Sequence, residues 1–88
     1  NIGGSNTKYA KITLGVEVKD EKVMEEAKKM VPAVRDKALS VIGAKGPEAL
    51  MDINNRNNLK QELYTSLKAI FRVPTDLKSV YITDIIIQ

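Results

Sequence analysis

Four carboxylates stand where an acid or a base could work: Asp36, Asp52, Glu62 and Asp84. Asp84 draws the most notice, because it interrupts the apolar run VYITDIII. A carboxylate enclosed by apolar side chains can hold a proton near neutrality and exchange it with a substrate. A lone acid completes no reaction, however; it needs a base, a nucleophile or a metal beside it. The chain has no histidine and no cysteine. The commonest general base, the commonest metal ligand and every thiolate are therefore missing. Asp84 is expected at a strand edge or under a loop. Asp36, which follows Arg35, is expected in an ion pair at the surface or between elements.

GAKGPE at 43–48 has the glycines and the lysine of a phosphate loop. It lacks the Walker spacing and the closing Lys-Ser or Lys-Thr, and it follows a helical pattern rather than a strand. The segment is expected to end one helix and to start another at Pro47. A metal would have to rest on oxygen ligands alone, and NRNN at 55–58 lacks the spaced acids of a calcium loop. No catalytic, metal or cofactor-binding residue is assigned, and no cofactor is expected.

Nucleic acid fits no better. The net charge is +3, from 14 basic and 11 acidic residues. Lys8, Lys11, Lys28 and Lys29 could touch phosphates, but Glu17, Asp20, Glu21, Glu25, Glu26 and Asp36 are interleaved with the bases and would repel a polyanion. Tyr9, Tyr64 and Tyr81 are scattered, Phe71 is the single phenylalanine and tryptophan is absent, so no stacking platform is present. No apolar run approaches the roughly 18–20 residues of a membrane span. The opening also lacks the basic-then-apolar order of a signal peptide. What is left is a domain that works by binding other proteins.

The elements that would position these groups follow from periodicity. NIGGSNT at 1–7 reads as a loop. In YAKITLGVEV, Ala10, Ile12, Leu14, Val16 and Val18 alternate with mostly polar residues, which predicts a strand with one wet face. Asp20 is the expected N-cap of a long helix with Val23, Ala27, Met30, Val31, Val34, Ala38, Val41 and Ile42 along one stripe. Its acids gather early and its bases late, which suits the helix dipole, and Glu25–Lys29 and Lys22–Glu26 are spaced for ion pairs. Pro32 predicts a kink, or two helices end to end. Gly43 and Gly46 stop the run, and Pro47 starts a short helical turn. The asparagines of NNRNN, 54–58, are placed to cap a second amphipathic helix carrying Leu59, Leu63, Leu67, Ile70 and Phe71, which Pro74 would end. VYITDIIIQ at 80–88 predicts a strand buried on both faces.

This is one α+β domain: a small mixed or antiparallel sheet packed by a long kinked helix and a second amphipathic helix. Ile12, Leu14, Val16, Val34, Leu63 and Ile86 are expected to share its core, with no apolar helix face left exposed beyond the core stripes. Two strands make a poor sheet, so either an element is missing from a complete chain or the chain is a fragment whose sheet a strand upstream of Asn1 would complete.

Several blocks, in order, carry a resemblance to a known family. Asn1-Ile2 looks like the end of that family's opening strand, and GGSN like the loop after it. YAKITLGVEV is similar to its next strand, and MVPAVRD at 30–36 to its "MPAIRD" helix segment. The helix from Leu59 to Ile70 and the closing VYITDIIIQ match in the same way. Together they cover essentially the whole chain, which resembles the C-terminal extracytoplasmic domain of the flagellar basal body-associated protein FliL. Departures are local: GAKGP replaces the family's serine- and threonine-bearing link, and an asparagine turn replaces its glycine before the last helix.

The resemblance implies a stomatin-like (SPFH-like) core that forms homo-oligomeric rings. It implies a periplasmic domain on a single-pass inner-membrane protein, whose anchor and first strand lie upstream. The implied partners are flagellar stator proteins of the MotA/MotB type, and the implied role is support of torque generation and motility. A stomatin-like scaffold for another membrane complex is the alternative. Arg35, Asp36, Tyr81 and Asp84 are the candidate contacts with a second protomer or a partner.

Overall fold

The structure is a computed structural model that describes residues 10–87. Strand β1 (Ala10–Val18) leads into helices α1 (Glu21–Lys29), α2 (Val31–Gly43) and α3 (Pro47–Met51). A 3-10 turn at Ile53–Asn55 precedes α4 (Arg56–Lys68), and another at Pro74–Asp76 precedes strand β2 (Leu77–Ile87). The loop expected at 1–7, Tyr9 at the head of the first strand and Gln88 at the end of the last lie outside the described residues.

The α+β class holds. Among the described residues the sheet is antiparallel and two-stranded. The long helix is two helices. Asp20 caps α1 as expected, its Oδ1 accepting from the Val23 amide at 3.0 Å. The chain then breaks at Met30, whose amide donates to the Ala27 carbonyl at 2.9 Å while its own carbonyl accepts from Val34 at 2.9 Å. Met30 thus closes α1 and opens α2. Pro32 falls in the first turn of α2, where its missing donor has no intrahelical partner to lose. Glu25 pairs with Lys28 at 3.2 Å rather than with Lys29.

Leu59, Leu63 and Leu67 recur every four residues on α4 and are 1%, 0% and 0% exposed. They pack with the buried Leu77 and Val80 of β2, and with Val23, Ala38, Leu50 and Phe71 from the other elements. The asparagines do not cap α4 with side chains. Asn55 occupies the capping position but its side chain caps no backbone amide of the helix, and instead its Oδ1 accepts from the Asn58 side-chain amide at 3.2 Å. Asp52 caps the preceding turn, its Oδ1 accepting from the Asn54 amide at 2.9 Å. Nor does Pro74 end α4. The helix stops at Lys68 and tightens through Ile70 and Phe71, whose amides donate to Leu67 and Lys68 carbonyls. Pro74 instead starts the 3-10 turn, where no donor is needed.

β2 begins at Leu77 rather than Val80, and it is not buried on both faces. Its register against β1 is interrupted twice. Thr13 faces Asp84 while Leu14 faces Ile82, leaving Thr83 extra; Glu17 faces Ser79 while Val18 faces Leu77, leaving Lys78 extra. These two bulges account for the 11 residues of β2 against the 9 of β1. Strict alternation from Val80 and Ile82 would carry Asp84 and Ile86 inward. The extra Thr83 shifts the phase, so Ile85 and Ile87 are half-buried while Asp84 and Ile86 are exposed. The Thr83 hydroxyl donates to the Thr13 carbonyl at 3.1 Å across the irregular step.

The expected shared core therefore divides. Leu63 lies at its centre, and Ile12, Leu14 and Val34 pack against it half-buried. Ile86 is 40% exposed because of the bulge, and Val16 is 39% exposed although it faces Val80 across the ladder.

Candidate functional site

The candidate contact residues lie on two elements, Arg35 and Asp36 on α2 and Tyr81 and Asp84 on β2. Arg35 stands on the rim of an open cleft of about 540 Å³ between β1 and α2. Ile12, Leu14 and Val16 of β1 form one wall and Val31, Val34 and Leu39 of α2 the other. The cleft exists because Val31 and Leu39, two turns apart on one row with Arg35 between them, extend the apolar surface of α2 beyond what β1 covers. Val31 and Leu39 are 43% and 66% exposed, so an apolar helix face is left open, contrary to expectation. The sequence signal was present at Leu39, whose place on the Val31 row extends the stripe.

Asp36 is exposed, and among the described residues its carboxylate forms no ion pair, so the pair expected at the surface or between elements is not made. Its backbone carbonyl accepts from the Ser40 hydroxyl at 3.1 Å. Asp84 is exposed on the bulge, at an edge as expected and not in an apolar enclosure. Asp52 caps a turn, and Glu62 pairs with Lys45 at 2.7 Å. That pair ties the GAKGPE loop to α4, and the loop does end α2 and start α3 at Pro47. Asp36 lies on α2, Asp52 ahead of the first 3-10 turn, Glu62 on α4 and Asp84 on β2. Among the described residues no group of three or more Asp or Glu side chains is placed to hold a metal.

Tyr81 is the best-connected candidate. It stands opposite Gly15, where an added Cβ would make ordinary contact with the Tyr81 Cβ at 3.9 Å. Its hydroxyl donates to Glu17 Oε1 at 2.8 Å, and Lys60 Nζ of α4 sits 5.1 Å from its ring centroid. Glu17 and Lys60 are the functional neighbours that the sequence did not point to, since only the strand register and the approach of α4 bring them to Tyr81. The group can present an aromatic face with one charge of each sign to a partner.

No helix among the described residues is long and apolar enough to cross a membrane. The family described as "Flagellar basal body-associated protein FliL" matches residues 1–88. The chain is also similar to the "Flagellar protein FliL" of Aquifex aeolicus (strain VF5), at 29% identity over 82 residues. That alignment takes in 93% of this chain and 50% of the relative, so the chain spans about half the relative's length.

Proposed function

The chain belongs to the FliL family of flagellar basal body-associated proteins, and on that premise we propose that it is a non-enzymatic domain that assembles around the stator units of the flagellar motor and supports their output. The match over residues 1–88 is the observation that carries this reading. Its partners are stator proteins of the MotA/MotB type, and its own copies in a ring. Its place is the periplasmic side of the inner membrane, held by a single upstream span, with a stomatin-like core.

The open cleft supports one part of this reading. An apolar wall formed by Val16, Val31 and Leu39 is costly to leave in water, at about 25 cal/mol for each Å² that could be covered. A second copy of the chain seated on that wall would cover it, as assembly into a ring requires.

The test is made in cells. A photo-crosslinker at Tyr81 or Leu39, followed by mass identification, is expected to recover stator proteins and other copies of the chain. Deletion of the gene is expected to reduce swimming, most under viscous load. Crosslinks confined to a non-flagellar membrane complex, with swimming intact, would favour the stomatin-like scaffold instead.

A further inference from the structure

A second depression, of about 200 Å³, opens between α4 and β2. Its lining is Lys60, Gln61, Tyr64, Lys78, Ser79 and Val80, with no carboxylate among them. Lys60, Tyr64 and Lys68 stand four residues apart on one face of α4. Tyr64 fixes this face to the sheet, since its hydroxyl donates to the Leu77 carbonyl at 3.2 Å. Lys60 and Lys68 are held over aromatic rings, at 5.1 Å from Tyr81 and 5.3 Å from Tyr64. Lys78 is the extra residue of a bulge and is exposed. The ion pairs among the described residues are Lys28–Glu25 and Lys45–Glu62, so none of these three lysines is neutralised by one.

We propose that this groove binds an extended acidic segment of a partner protein, which lies between α4 and β2 and sets its carboxylates against Lys60, Lys68 and Lys78. The charge is complementary: three lysines outside any ion pair stand at a groove whose lining carries no carboxylate. The cation–π contacts hold the two ammonium groups in place before binding, so less side-chain freedom is lost when the carboxylates arrive. The inference reaches beyond the flagellar reading and stands or falls apart from it.

Titration of the 88-residue chain with two peptides tests it, one alternating glutamate with valine and one alternating glutamine with valine, followed by amide chemical shifts. The glutamate peptide is expected to move amides of α4 between Lys60 and Lys68 and of β2 between Lys78 and Tyr81. It should bind roughly tenfold more tightly than the glutamine peptide, the size of two or three exposed ion pairs, and lose that margin at high salt. The double substitution Lys60→Glu with Lys78→Glu should abolish the preference and create one for a lysine–valine peptide. Lys60→Gln with Lys78→Gln serves if the charge reversal unfolds the chain, and should bring the two original peptides to equal affinity. Equal binding of both peptides by the unaltered chain would overturn the proposal. So would shifts centred on the β1–α2 cleft. Inorganic phosphate or phosphatidylglycerol vesicles moving the same amides as strongly as the peptide would make the groove a simple anion or membrane site, and would overturn it as well.

Discussion

Leu63 and Leu39 carry the same side chain in opposite surroundings. Leu63 has no exposed surface at the centre of the core, whereas Leu39 is 66% exposed on the cleft. Leu63→Ala is expected to cost about 2–5 kcal/mol, from lost burial and the cavity left behind. Leu39→Ala is expected to stay within about 0.5 kcal/mol. Chemical denaturation of both variants checks the pair, and equal losses would show that the helices pack differently. Arg35 lies on the cleft rim with no ion-pair partner among the described residues. Arg35→Ala should therefore leave the folded chain near its original stability and weaken contacts with other copies. If assembly stayed intact and stator association alone were lost, Arg35 would be a direct partner contact. At this scale the sequence was readable where a residue answers to its own neighbours along the chain, as Asp20 and Pro47 do. It was not readable where a partner comes from far away, as Glu62 does for Lys45 and Glu17 and Lys60 do for Tyr81.

Among the elements, the strands show most clearly what periodicity can and cannot reveal. The alternation in β1 located the strand, and the run of β-branched residues located β2. Neither could reveal the extra residue at Thr83, because a bulge is a property of two strands in register and not of either alone. Deleting Thr83 is expected to join the Thr13–Asp84 and Leu14–Ile82 pairs into one regular ladder, leaving Ile85 and Ile87 inward. The loss should be about 1 kcal/mol, mostly the Thr83–Thr13 hydrogen bond. A melt that collapses instead would show that the bulge does more than set phase. The cap of α1 gives a second prediction at this scale. Asp20→Ala should cost about 1 kcal/mol and speed amide exchange in the first turn of α1, leaving α2 unaffected beyond Met30. The division at Met30 lay within the sequence expectation for Pro32. The open face of α2 did not, since a stripe of helix residues does not say how much of it a neighbour will cover.

At the scale of the whole molecule, the apolar cleft and the sparse aromatics pull against each other. Val16, Val31 and Leu39 offer surface for association, but the large anchors that dominate tight interfaces are few. The chain is expected to be monomeric when dilute and to associate as concentration rises. A membrane tether would confine copies to one plane and let many weak contacts close into a ring. Analytical ultracentrifugation over a wide concentration range checks the first half, with Leu39→Glu expected to suppress the association. A closed oligomer stable at the lowest concentrations would refute the tethering argument, and a chain that stays monomeric on supported bilayers would refute the ring. The ladder itself runs from Ala10–Ile87 at one end to Val18–Leu77 at the other, so the first and last described residues stand side by side. A pull that separates those two positions would load the rungs one at a time, like a zipper opened from its end, instead of shearing all of them together. The domain would then yield gradually from that end, and the leucines of α4 against Leu77 and Val80 would be the last region to feel the force.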